Sequence, residues 1–133
     1  MAKGTDSIKA TIKLEGSDMG PVSLNLSKTS TLSVAGGNSG VASANIATTG
    51  VDIVGVSQAT TGTTYVYVCN TGTTAILVQS AAADGSTFTT IGSVGAAEFG
   101  FFPFSAATIG NCKIRLETAS GTSTCTYAIF EMA

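Results

Sequence analysis

Residues 63–104, TTYVYVCNTGTTAILVQSAAADGSTFTTIGSVGAAEFGFFPF, constrain the fold more than any other stretch. They hold seven of the nine aromatic residues of a chain with three Tyr, six Phe and no Trp, set in runs broken by turn residues. Thr64-Tyr65-Val66-Tyr67-Val68-Cys69 is β-branched and aromatic without a break, which predicts a strand buried on both faces. Asn70-Thr71-Gly72 supplies a residue tolerant of left-handed geometry and a glycine, so the chain can reverse. Thr73 to Gln79 returns with Ile76, Leu77 and Val78, and the two segments together read as a hairpin. Residues 81–86 form a loop with a turn signal at Asp84-Gly85, and Phe88 to Val94 is another strand, interrupted by Gly92. In the run 99–104, Phe99 and Phe101 share one face while Phe102 and Phe104 share the other. Pro103 cannot donate to a ladder, so that strand ends there or lies on an edge. Phe99, Phe101 and at least one other phenylalanine of the run are expected in the core. Phe102 and Phe104, pushed to the opposite face, are the candidate interface residues, since aromatics at such sites anchor contacts between subunits.

The flanking segments carry the same signals. From Ser7 to Glu15, Ile8, Ala10, Ile12 and Leu14 alternate with polar residues, a half-buried strand with one wet face. After a turn at 16–21, Val22, Leu24 and Leu26 resume the alternation, and Leu32 and Val34 continue it or begin a third segment. Two strands cannot bury both faces alone. Residues 1–34 therefore read as a hairpin or arm that lies on the rest of the chain or on a neighbouring subunit, with Ile8 and Ile12 as candidate contacts. Residues 35–62 read as a Gly/Ser/Thr-rich connection with a short strand at Val51–Val54, and 63–133 as the sandwich core. Ile114 and Leu116 alternate with Lys113, Arg115 and Glu117; a hairpin is expected at 118–124, and Cys125 to Met132 closes the chain with Tyr127 and Ile129 on one face. Eight or nine strands with no convincing helix predict an all-β fold, an antiparallel β-sandwich of jelly-roll-like or Greek-key type.

Charged residues make up only 11% of the chain and the net charge is −2, well below the roughly 25% charged residues of ordinary soluble domains. A surface so poor in charge suits coverage by other protein. Six scattered basic residues make no patch, which argues against a nucleic-acid partner. No apolar run approaches the roughly 20 residues of a membrane-spanning helix, and the N-terminus shows no signal peptide. Histidine is absent, which removes the commonest general base, nucleophile partner and metal ligand. Asp18 and Asp84 sit in turn sequences; Glu15, Glu117 and Glu131 sit at solvent-facing or strand-end positions. No catalytic, cofactor or metal motif is present, so no enzyme activity and no cofactor are expected. Cys69, Cys112 and Cys125 form no metal pattern and are expected as reduced thiols, with a Cys112–Cys125 pair the lesser alternative.

The segments SIKATIKLE, TTYVYVCNTGTTAILVQ, IGSVGAAEFGFFPF and TYAIFEM resemble, in their style of strand and turn, small virion structural proteins of tailed bacteriophages, particularly marine and cyanobacterial phages. The resemblance spans most of residues 7–132. It implies a non-enzymatic virion protein, above all a capsid decoration (cement) protein that binds the major capsid protein as a homo-oligomer, with a trimer favoured, and that carries no catalytic residues. A ring-forming neck or tail component is the alternative within that class. A β-sandwich module that binds a sugar or a cell surface is the alternative outside it, and an exposed aromatic platform would favour it.

Overall fold

A computed structural model describes residues 6–16, 24–34, 40–54, 63–81, 87–105 and 113–131. Among the described residues there are ten strands and no helix, and every pairing is antiparallel. β1 (Asp6–Gly16) and β2 (Leu24–Val34) form a sheet of their own, in register from Asp6 opposite Val34 to Gly16 opposite Leu24. The second strand thus runs unbroken through Leu32. At about 3.4 Å per residue the eleven-residue ribbon is roughly 35 Å long.

Eight further strands build the sandwich: β3 (Gly40–Ile46), β4 (Val51–Val54), β5 (Thr63–Asn70), β6 (Ile76–Ala81), β7 (Phe88–Val94), β8 (Phe99–Ser105), β9 (Lys113–Glu117) and β10 (Ser123–Glu131). One sheet has the order β3-β10-β5-β8 and the other β4-β9-β6-β7. Their facing sides form one core. Ile46, Val66, Val68, Phe104 and Cys125 from the first sheet meet Ile53, Ile76, Val78, Val94, Ile114 and Leu116 from the second. The expected antiparallel β-sandwich is what forms.

The sandwich begins earlier in the chain than expected. Residues 40–54, read as part of a connection, supply two of its strands: β3 pairs with β10, β4 with β9, and Ile46 and Ile53 are buried. The hairpin expected across Asn70-Thr71-Gly72 is not one, because β5 and β6 lie in different sheets. The segment at 118–122 likewise carries the chain from one sheet to the other, between β9 and β10. In both places the apolar residues of consecutive strands meet face to face across the core, which yields more burial than pairing them side by side. The hairpins that do form join β1 to β2 and β6 to β7.

Asn70 fixes the first crossing. Its side chain is buried and its amide donates to the carbonyls of Thr74 (2.8 Å) and Val94 (3.0 Å). Its Oδ1 accepts from Gly72 N (3.0 Å) and Ser123 Oγ (2.8 Å). Thr71 N and Gly72 N both donate to Thr124 O, and the chain passes so close there that a Cβ on Gly72 would lie 2.7 Å from Thr124 N. Cys69 and Cys125 are free thiols, Cys125 buried in the core, where loss of solvation raises its pKa. Cys112 lies outside the described residues.

Candidate protein-binding surface: the arm and the aromatic face

β5 is buried on one face only. Thr64, Val66, Val68 and Asn70 point into the core, while Tyr65, Tyr67 and Cys69 point away from it and are half-buried. The unbroken β-branched and aromatic run concealed an ordinary period of two, because Tyr gives an outward position the same apolar look as Val gives an inward one. β8 continues the pattern in register with β5. Phe102 opposes Val66 and Phe104 opposes Thr64 on the core side; Phe101 opposes Tyr67 and Phe99 opposes Cys69 on the outside.

The core side of β8 is therefore the face of Phe102 and Phe104, not that of Phe99 and Phe101. Phe104 is buried in the core cluster and Phe102 packs against it, their rings 6.4 Å apart and tilted by 46°. Phe102 folds back over Gly100 and beside Gly92, where added Cβ atoms would fall 2.5 and 3.3 Å from its ring. The two glycines make room for it. Phe104 is buried and not free to anchor a partner, and Phe102 is half-buried against the core. Phe99, expected in the core, is 73% exposed. The side-chain parity was legible in the sequence, but which face turned inward was not.

The outer face carries a diagonal aromatic ladder. Tyr65 and Phe101 stack with centroids 5.1 Å apart at 19°, and Tyr67 and Phe99 lie 6.4 Å apart at 34°, the diagonal reach of cross-strand neighbours. Phe130 on β10 and Pro103 on β8 flank it. The Tyr67 phenol is held above its ordinary pKa, first by a hydrogen bond with the Cys69 side chain and then by partial burial.

The arm lies over this ladder at its base. Its strands present Ile8 opposite Leu32, Ala10 opposite Ser30, Ile12 opposite Lys28 and Leu14 opposite Leu26 on one side. The other side is polar, with a Thr11–Thr29 hydroxyl bond of 3.1 Å and a Lys13–Glu15 ion pair of 2.9 Å. Ile8, Ala10 and Ile12 face Tyr67, Phe99, Phe101 and Phe130 across an apolar groove of about 270 Å³. A second groove of about 260 Å³ separates Ala10, Ile12 and Leu32 from Tyr65, Phe101 and Pro103. Nearer the tip, Ile12, Leu14, Leu26 and Lys28 form a hollow whose described lining residues all belong to the arm. Ile12, Leu14 and Leu26 are each at least half exposed, at 56, 50 and 57%.

The outer face of the second sheet is built differently. Arg115 donates to Asp52 at 2.7 Å and lies 3.8 Å over the Phe88 ring, and Lys113 approaches Asp52 at 3.5 Å. The Arg115 hydrogen bond, helped by the Arg115 and Lys113 charges and opposed by burial, holds the Asp52 carboxyl below its usual range. The charges on this face are paired, while Gln79 Oε1, on the neighbouring strand opposite Arg115, is buried without a hydrogen-bond partner. Among the described residues no group of three or more His, Cys, Asp or Glu is placed to hold a metal ion, and no helix is long and apolar enough to cross a membrane. No family model matches the chain, and no curated protein or solved structure matches it either.

Proposed function

We propose that the chain is a non-enzymatic assembly protein, a bacteriophage capsid decoration protein that grips the major capsid lattice and works as a homo-oligomer, a trimer being the favoured copy number. The observation that carries this reading is the two-faced arm, on whose apolar side Ile12, Leu14 and Leu26 are each at least half exposed. A two-stranded ribbon is at best marginally stable by itself, and exposed apolar residues gathered on one face are the mark of a protein-contact surface. The low charge of the chain supports coverage by other protein. The strand order β3-β10-β5-β8 against β4-β9-β6-β7 supports a jelly-roll-like reading, an architecture common in capsid-associated domains.

One observation favours a second reading. Phe99, 73% exposed beside the half-buried Tyr67, is an aromatic surface of the kind a sugar-binding module presents, although both residues share a groove with Ile8, Ala10 and Ile12 of the arm.

Gold-labelled antibody against the chain, applied to particles of the phage that encodes it, tests the proposal. Label over the capsid faces supports decoration, and label confined to the head–tail junction would move the protein to the neck. Unlabelled particles, with glycan-array binding that disappears in Phe99→Ala, would replace the virion role by the sugar-binding one.

A further inference from the structure

Apart from Val41 on β3 and Ile91 on β7, the exposed large apolar residues gather at two places, the arm and the aromatic ladder, and part of each stays open within one chain. One is the arm tip: Leu14 opposite Leu26, with Ile12 behind them. The other is Phe99, 73% exposed beside the half-buried Tyr67, on the groove that both share with Ile8, Ala10 and Ile12 of the arm. The arm base already rests on this face, so the face accepts the apolar side of this ribbon in its own chain. Toward the tip, the described residues that line its hollow all belong to the arm.

Charge matches the same way. Lys28 stands beside Ile12 on the apolar side of the arm and has no ion-pair partner among the described residues. The exposed Glu98 precedes Phe99 at the rim of the ladder, one oxygen accepting from Gly95 N at 2.8 Å. Across the whole sequence, residues 1–34 hold four lysines against three acids and residues 35–133 hold two basic residues against five acids, giving +1 and −3.

We infer that the arm tip of one copy, Ile12, Leu14 and Leu26 flanked by Lys28, docks on the Phe99–Tyr67 end of the aromatic ladder of a second copy of this chain, with Lys28 facing Glu98. The inference rests on the reading of the arm as an assembly device and names what it grips first. Tip and ladder are different patches, so the contact is heterologous: it closes into a ring of copies, or becomes reciprocal when two arms exchange. Apolar tip residues with a charged rim follow the general anatomy of such interfaces, the aromatic acting as anchor and the charge pair setting orientation.

Complementation between two full-length variants tests it. Leu14→Ser/Leu26→Ser disables the tip and leaves the ladder intact; Phe99→Ser does the reverse. All these positions are at least half exposed, so both variants fold, and far-UV circular dichroism verifies this. Light scattering is expected to give a multiple of the 13.2 kDa chain mass for the wild type and the monomer mass for each variant alone. Native mass spectrometry of the two variants mixed, with different tags, is expected to show a heterodimer, because each supplies the half that the other lacks. A wild type that is monomeric at every concentration overturns the contact, as do variants that keep the wild-type mass or folded variants that do not complement. A monomeric wild type that still decorates capsids removes this contact alone; self-association with unlabelled particles removes the decoration role alone.

Discussion

Asn70 and Ser123, fifty-three positions apart, hydrogen-bond at 2.8 Å in a buried site where the end of β5 meets the start of β10. The same Asn70 side chain holds Thr74, Val94 and Gly72, so one amide ties together the crossing after β5, the end of β7 and the start of the closing strand. Asn70→Ala removes four hydrogen bonds, those to the two carbonyls, to the Ser123 hydroxyl and to Gly72 N, of which Gly72 N keeps its bond to Thr124 O. At about 1 kcal/mol per lost bond and more for those left buried and unsatisfied, the expected cost is roughly 3 kcal/mol by denaturant unfolding. Ser123→Ala is expected to cost about 1 kcal/mol. Because the two residues share a bond, the double variant should lose less than the sum; strict additivity would show that the bond contributes nothing.

The two faces of β8 give opposite expectations for chemically identical substitutions. Phe104→Ala removes a buried ring from the core cluster and should cost about 3–5 kcal/mol. Phe99→Ala, at a site 73% exposed, should change the stability of the monomer by less than about 1 kcal/mol. Chemical denaturation at low protein concentration distinguishes them, and equal effects would contradict the assignment of faces.

That assignment marks where the sequence stopped being informative. Most strand positions, the period of two in 7–15 and 113–117, and the pairing of Phe99 with Phe101 against Phe102 with Phe104 were legible. The direction of each face was not, because Tyr65 and Tyr67 look as apolar as the valines between them. β3 was missed since Gly40–Ile46 is mostly small residues whose alternation, Ala42, Ala44 and Ile46 inward, carries little hydrophobic contrast. The sheet crossings at Asn70 and at 118–122 were hidden for a different reason. Turn residues signal that the chain reverses, but not whether the next strand pairs beside the last or packs across from it.

Asp52 gives a pH dependence. Its folded pKa is depressed, first by the Arg115 hydrogen bond, so its contribution is present above the unfolded value of about 3.9 and is lost as pH falls through the lower folded value. The groups are partly exposed, which limits the pair to under about 1 kcal/mol. Asp52→Asn should therefore be less stable than the wild type by that amount at pH 7 and equal to it at the acid end. Urea midpoints measured across the range check this, and a gap that widens toward acid would contradict it.

Ala97 sits at φ 62° in the turn between β7 and β8, closed by Glu98 N to Gly95 O at 3.1 Å. An L-residue there costs about 1–2 kcal/mol that glycine avoids, partly offset by the greater freedom of glycine in the unfolded chain. Ala97→Gly is expected to raise the melting temperature slightly, by up to about 1 kcal/mol of stability. A clear fall would mean that the methyl group makes a contact of its own.

The most direct measurement is amide hydrogen exchange on the full-length protein at increasing concentration. If the arm and the outer aromatic face are the surface through which copies meet, protection should rise with concentration in β1, β2 and around Phe99–Phe101 and stay constant in β4, β7 and β9. Protection that rises in those strands of the opposite sheet, with the arm unchanged, would contradict it.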